Sequence, residues 1–372
     1  MIRFEALNAK HGDALLIQYS WKNRKRLWII DGGPKGVWKQ TLKPRLEELR
    51  GDDSELAVDL AMLSHVDEDH VTGILQMTKG LAEQEDGAAD FLEIKRFWHN
   101  SFRDIVGSSA SLQAGMTSLA GTQAKAEAAM TSADPQLNIG NGSLDQRAVA
   151  VLASIGQGRE LRDYLTKLQL SGNEPFGGTL SSKSGSKVVD GAKVTLVGPI
   201  KSRLDAFRQK WKSESGNAAA LAALFRDDLD ESPTNLSSLV MLVEIAKRKI
   251  LLTGDARGDD IVDGFKDAGL DLPSKLDILK MPHHGSDRNI TEKFLRSFPA
   301  KHYVISADGK YGNPDSDTIE NIVSVRGDGD YTLHFTNDVK GLKTQLTKLQ
   351  KTRSFEFEIR AKSAPSLAIE LG

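Results

Sequence analysis

The chain has 372 residues, 39% hydrophobic and 27% charged, which is ordinary for a globular protein and enough for one large α/β domain with insertions or for two domains. A formal net charge of −2 supplies no basic field for nonspecific nucleic-acid binding, though a local basic cleft can exist on a neutral protein. With no cysteine there are no disulfides or thiolate zinc ligands; no apolar stretch approaches membrane-spanning length and no signal peptide is visible, so the default expectation is a cytoplasmic protein without a membrane partner.

Taken in chain order, residues 2–35 read as alternating and apolar strands ending in a Gly32-Gly33-Pro34 turn. Residues 36–50 follow with helical character, carrying Val37, Leu42, Leu46 and Leu49 as apolar positions. Leu60-Ala61-Met62-Leu63 reads as the end of a buried strand, and Val71-Thr72-Gly73-Ile74-Leu75 as the first turn of a helix. Phe91–Trp98 is strand-like. From about 101 to 186 the texture changes: 107–133 suggests a helix of low hydrophobicity, Leu161, Tyr164, Leu165 and Leu168 mark a second helix, and Ser171–Ser186 reads as an irregular loop. Lys193–Pro199 resumes the strand pattern, and 202–229 is a helical insert expected to pack on the core through Leu204, Phe207, Trp211, Leu221, Leu224 and Phe225. Two apolar runs, 239–245 and 250–254, flank a short charged break and predict a hairpin of core strands. The tail from about 340 combines a charged helix-like part with an alternating edge strand at Phe355–Ile359. The expected organisation is a domain over 1–340, with an insertion at about 101–186 that gates substrate or binds a partner, and an extension over 341–372 packed on it.

The chemistry concentrates in three loops. His65, Asp67, Asp69 and His70 place four potential ligands in six residues at the end of a strand, where a rigid edge can hold them. If the backbone stays extended, His65 and Asp67 point to one side while Asp69 and His70 lie beyond a bend, so two pairs aim at two adjacent points. Chance can scatter acids and histidines on a solvated loop, but matching ligands recur. Asp255 ends a buried strand, where an unpaired carboxylate demands a cation or good donors. Pro282-His283-His284-Gly285-Ser286 then repeats the pattern of a short strand, a proline and ligands, with Gly285 allowing a close turn. Of eight histidines, four fall in these loops, which is the strongest signal in the chain.

The ordered set of motifs resembles the metallo-β-lactamase-fold hydrolases, whose signature runs His-x-His-x-Asp-His, a lone His, a lone Asp and a final His. Here Asp67 replaces the second histidine of His65-x-Asp67-x-Asp69-His70, Asp255 matches the bridging aspartate, and His283-His284-Gly285-Ser286 matches the last motif. This variant, with the openings Ala9–Ile17 and Ile29–Gly33, looks most like the branch related to the hydrolase domain of the competence protein ComEC. The resemblance covers roughly 1–100 and 187–335. It implies an α/β fold of the four-layer αββα type, two mixed β-sheets flanked by helices, with helical insertions between its halves. It also implies that His65, Asp67 and a lone histidine hold one ion, that Asp69, His70 and one of His283 or His284 hold the other, and that Asp255 bridges. His99 is the candidate for the lone histidine, with a capping hydrogen bond as the equal alternative. Asn313 stands where relatives often carry Gly-His-Pro, and it cannot shuttle a proton at neutral pH.

The expected cofactors are therefore two divalent metal ions. A carboxylate-rich set lets manganese or iron compete with zinc. Two ions roughly 3.5–4 Å apart can share a hydroxide and clamp a phosphoryl or acyl transition state. Asp69, His283 and His284 are the candidate catalytic residues, the histidine that is not a ligand serving as proton donor. The expected function is hydrolysis of phosphodiester bonds, with a nuclease among the options and nucleic acid as a candidate partner. The alternatives are a hydrolase of small phosphoesters, esters or lactones, and a degenerate metal-bound binding or regulatory module. No partner protein is identified. Asp31 is expected to orient a ligand or to serve as a turn residue, Asn235 with Ser237-Ser238 to support Asp255, and Ser286 to cap a helix. His11 reads as turn chemistry, and His302 and His334 as core or surface histidines. Phosphate-loop, dinucleotide and serine-elbow motifs are absent from the sequence.

Overall fold

The computed structural model describes residues 1–83, 89–107, 146–214 and 237–372 throughout, with parts of the segments between them. Two sheets dominate. A six-stranded sheet runs Ser366–Leu371, Ile2–Leu7, Leu15–Trp21, Arg24–Ile30, Leu60–Met62, Phe97–Trp98. An eight-stranded sheet runs Ser186–Val189, Ala192–Gly198, Val240–Ile245, Arg248–Leu252, Leu276–Lys280, Ala300–Ile305, Thr332–Phe335, Glu356–Ile359. Each is antiparallel on one side and parallel on the other, the change falling at Arg24–Ile30 and at Arg248–Leu252.

Local sequence explains that division. The antiparallel strands are joined by tight turns: Lys22-Asn23 and Ala246-Lys247 both adopt positive φ, the conformation a two-residue hairpin needs to match strand twist. Parallel neighbours need crossovers, and the helices Gly258–Asp267, Glu292–Ser297, Ser316–Arg326 and Leu342–Gln350 provide them for the eight-stranded sheet. Its central strands read as continuous apolar runs because both faces are covered. Along Val240–Ile245, Met241 and Val243 pack with residues of the six-stranded sheet, whereas Val240 and Leu242 pack with the crossover helices through Phe265 and Phe294. The six-stranded sheet turns Leu16, Ile29 and Ala61 toward Ile74, Met77, Leu46 and Leu161 of the helices Glu68–Glu83, Lys43–Arg50 and Gln146–Lys167. The chain is thus a mixed α/β structure with flanking helices.

Three details refine the sequence reading. The helix after the first ligand cluster begins at Glu68, not near Val71, because the Asp67 carbonyl accepts from the His70 and Val71 amides; Asp69 and His70 therefore stand in its first turn. The segment 341–372 supplies an edge strand to each sheet, Glu356–Ile359 and Ser366–Leu371, the second pairing with Ile2–Leu7. Between 101 and 186, the helix Gln146–Lys167 packs on the helix Glu68–Glu83, and Asn173 and Leu180 are buried. The helix expected over 107–133, Leu224 and Phe225 lie largely or wholly outside the described residues. Among those described, no helix is long and apolar enough to cross a membrane.

Candidate metal centre

The parallel strands Arg24–Ile30, Leu60–Met62, Leu276–Lys280 and Ala300–Ile305, together with Arg248–Leu252, all point their carboxyl ends to one place, the usual position for a site in an open α/β sheet. The segments that leave those ends begin with Asp31, Leu63–His70, Thr253–Asp255, Met281–Ser286 and Ser306. The loop entering Leu15–Trp21 adds Asp13 from the opposite chain direction. Asp13, His70, Asp255 and His284 are all buried and offer one ligand atom each, the four atoms lying within 4.8 Å of one another; this group could hold a metal ion.

Asp255 is central. Its Oδ1 lies 3.3 Å from His70 Nε2, and its Oδ2 lies 3.4 Å from His284 Nε2, 3.7 Å from His283 Nε2 and 3.9 Å from His65 Nε2. Ser238 Oγ accepts from the Asp255 amide at 3.2 Å, and Asn289 Nδ2 donates to its carbonyl at 3.4 Å. Asp69 approaches His284 Nε2 at 3.4 Å and His70 Nε2 at 3.9 Å. On the other flank, His65 Nε2 is 3.5 Å from Asp67 Oδ2. His283, His284 and Gly285 take positive φ in succession, and two such non-glycine residues in a row are backbone strain placed where both imidazoles meet Asp255.

The surroundings fix the imidazoles. His284 Nδ1 lies 2.9 Å from the Ser306 carbonyl, which can only accept, so Nδ1 carries a proton. His70 Nδ1 lies 2.8 Å from Asp31 Oδ2, the carboxylate that also accepts from the Ser64 amide and hydroxyl at 2.7 Å each; the expected orienting role of Asp31 is thus visible. His283 Nδ1 faces Asn289 Oδ1 at 3.1 Å. With both Nδ1 atoms committed, the His70 and His284 Nε2 atoms face each other at 3.3 Å. Two lone pairs at that distance repel, so the contact needs either a proton on one of them or a cation between them. Around a tetrahedral zinc with bonds of ~2.0–2.1 Å, two nitrogens sit roughly 3.3 Å apart.

Electrostatics ask for the same thing. Burial alone would lower the His284 imidazole, but the Asp255 and Asp13 carboxylates outweigh it and push it up to about 10. His70 is raised well above the ordinary histidine range, against burial, by Asp255, Asp31 and Asp69. Burial would raise Asp255, yet His284, His70 and His283 hold it well below the carboxylate range. The cluster needs positive charge, and protons supply it where no metal does. His65 Nε2, Asp67 Oδ1, Asp13 Oδ1 and Asp255 Oδ1 are buried without a hydrogen-bond partner, an uncommon concentration of orphaned ligand atoms. The residues fit a divalent cation.

Sequence reasoning missed Asp13 and Lys280. Lys280 Nζ, buried, pairs with Asp13 Oδ2 at 2.6 Å, while Asp13 Oδ1 lies 3.6 Å from His284 Nδ1. An acid at the head of the apolar run Ala14–Ile17 carried the same signal that singled out Asp255. His99 Nε2 is also buried without a hydrogen-bond partner, but its contacts lie elsewhere. Its amide and carbonyl are clasped by the Asn173 side chain, its ring packs edge-on to Phe97 at 5.6 Å, and no ion pair or ring contact joins it to the cluster among the described residues. Burial pushes its imidazole down to about 4, with Asp104 opposing and Arg162 adding to the shift. His302 Nδ1 and His334 Nε2 meet at 3.0 Å across neighbouring strands. Comparison of the chain with protein-family models finds no match, and comparison with curated proteins finds none either.

Proposed function

We propose that this protein is a metal-dependent phosphodiester hydrolase of the metallo-β-lactamase fold, with both sheets packed face to face in a four-layer αββα sandwich. The layering is supported by three apolar clusters: one drawing on both sheets and one beneath the helices on each outer face. The observation that carries the function is the convergence of His65, Asp67, Asp69, His70, Asp255 and His284 with unpartnered ligand atoms at the carboxyl ends of the strands.

His70, Asp255 and His284, with Asp69 or Asp13, would hold one ion, and His65, Asp67 and Asp255 a second. Bound there, divalent cations activate water near neutral pH and neutralise charge that develops on phosphoryl oxygens. The protein residues do the rest. Asp31 and the Ser306 carbonyl hold His70 and His284 in the tautomer that presents Nε2. Asp13, paired with Lys280 through Oδ2, keeps Oδ1 3.6 Å from His284 Nδ1. His283, more exposed than His284 and anchored through Nδ1 to Asn289, keeps Nε2 at the edge of the cluster, where it can donate a proton to a leaving oxygen. Asn313 donates to the His283 carbonyl at 3.3 Å and so supports the strained turn instead of moving protons.

The test pairs metal analysis with turnover. Wild-type protein should carry close to two transition-metal ions per chain and hydrolyse bis(p-nitrophenyl) phosphate. Asp69→Ala should remain folded and lose the activity. Full hydrolysis by that variant would exclude this mechanism. Cleavage of p-nitrophenyl acetate or a lactone, with phosphodiesters untouched, would reassign the substrate class.

A further inference from the structure

Two loops border the Asp69–His284 side of the cluster and are tied to it. The Asp13 amide donates to the Asp69 carbonyl at 3.2 Å, the Ser306 hydroxyl donates to the Gly12 carbonyl at 2.7 Å, and a Cβ on Gly12 would lie 1.8 Å from the Asp69 oxygen. The second loop, running from Ser306 to Asp315, is pinned by Asn313 on His283 and by the Asp315 amide on the Gly285 carbonyl at 3.1 Å. Lys10 and Lys310 stand on these loops beside His11 and the exposed Tyr311. Lys310 Nζ lies 3.4 Å from His11 Nε2 and 4.7 Å from the Tyr311 ring centroid, and the His11 and Tyr311 rings meet edge-on at 5.2 Å.

Among the described residues neither Lys310 nor Lys10 has a carboxylate partner; Lys10 Nζ reaches the Lys35 carbonyl, at 2.9 Å. Lys10 holds that position with φ of 58°, a conformation a side chain rarely adopts without cause. His11 is buried, its Nδ1 has no hydrogen-bond partner, and its Nε2 lies 3.7 Å from Glu68 Oε2, next to Asp69 in the chain. Two ammonium groups without a carboxylate partner, a buried imidazole and an exposed ring therefore sit on the loops that border the acidic, metal-competent cluster.

We propose that Lys310, Lys10 and His11 form a subsite for a non-reacting phosphate of the substrate, adjacent to the phosphodiester held at the cluster, with Tyr311 backing Lys310. This assignment rests on the phosphodiesterase reading above and adds which residues grip the substrate beyond the reacting group. It takes a substrate with at least two consecutive phosphates, such as a short single-stranded oligonucleotide. The ammonium groups act as point charges on phosphate oxygens, which orients the chain and carries no base preference.

The experiment is equilibrium binding of a fluorescein-labelled oligothymidylate to the metal-loaded full chain by fluorescence anisotropy, at several salt concentrations, for wild type, Lys310→Ala, Lys310→Arg and Lys10→Ala. Each alanine variant should bind about tenfold more weakly, the scale of a lost charged hydrogen bond. The slope of log affinity against log salt should fall by about 0.7 per lysine removed, and Lys310→Arg should keep the wild-type slope. Wild-type binding with slopes unchanged in both alanine variants would overturn the subsite, as would the absence of oligothymidylate binding by the wild type. Lysine-dependent binding without hydrolysis of any phosphodiester would leave the subsite standing and remove the hydrolase reading, so the two failures are separable.

Discussion

Replacing Gly73 by alanine sets two effects against each other, and the structure decides between them. Gly73 lies inside the helix Glu68–Glu83, where alanine is intrinsically better than glycine by about 0.8–1.0 kcal/mol. Against this, a Cβ at Gly73 would lie 1.9 Å from the Gly32 carbonyl oxygen, where ordinary contact begins near 3.4 Å, so helix and loop must separate by 1.5 Å (3.4 − 1.9). Both sides of the contact are backbone and cannot rotate away. The separation also strains two clasping hydrogen bonds, Gly32 amide to His70 carbonyl at 2.9 Å and Gly73 amide to Gly33 carbonyl at 3.0 Å. Overpacking of about 1–3 kcal/mol plus about 1 kcal/mol for each weakened hydrogen bond outweighs the helix gain, leaving a net loss of about 2–4 kcal/mol. The same movement carries His70 away from His284 and Asp255, so bound metal should fall as well. Urea unfolding followed by fluorescence, with metal content measured on the same samples, reads both effects. A midpoint equal to or above wild type would show that helix propensity dominates and that the glycine contact is not tight.

Other outcomes follow from the same structure. Glu5 is buried between Arg45, Ser366 and Arg3, and although burial would raise its carboxyl, these partners hold it below the ordinary range. Its stabilisation is therefore complete above pH of about 4.3 and is lost as pH falls through the depressed folded value. Glu5→Gln should cost about 3–5 kcal/mol at pH 7 and flatten the acid limb of a stability-versus-pH curve; parallel curves would refute the assignment. Lys280→Met leaves the Asp13 carboxylate buried without its partner and should destabilise by a similar ~3–5 kcal/mol, whereas Lys280→Met with Asp13→Leu should recover much of that loss in thermal melts. Asp255→Asn should reduce bound metal and abolish phosphodiester turnover, because it weakens the carboxylate that all four cluster imidazoles face; retained metal at the wild-type level would contradict its central place. His99→Asn should keep the full metal content by mass spectrometry, and loss of one ion would restore His99 to the ligand set.

The sequence by itself located three ligand-rich loops at strand ends. Each of its three ligand loops follows an apolar run, so burial of the strand and the placing of ligands at its end could be read locally, as could the hairpin around Ala246-Lys247 and the buried acid at Asp255. Tertiary structure decided which of these groups meet. Asp13, separated from Lys280 by 267 residues (280 − 13), joins the cluster only because two sheets bring a strand start and a strand end together. His99 follows a strand much as His65 does, and the Asn173 side chain clasps its backbone, a long-range contact that no spacing encodes. Likewise it is the fold that gathers His284, not His283, into the buried group with Asp13, His70 and Asp255. Local periodicity and strand ends are properties of neighbouring residues. Ligand partnership depends on side-chain atoms brought within a few ångströms by the packing of the sheets.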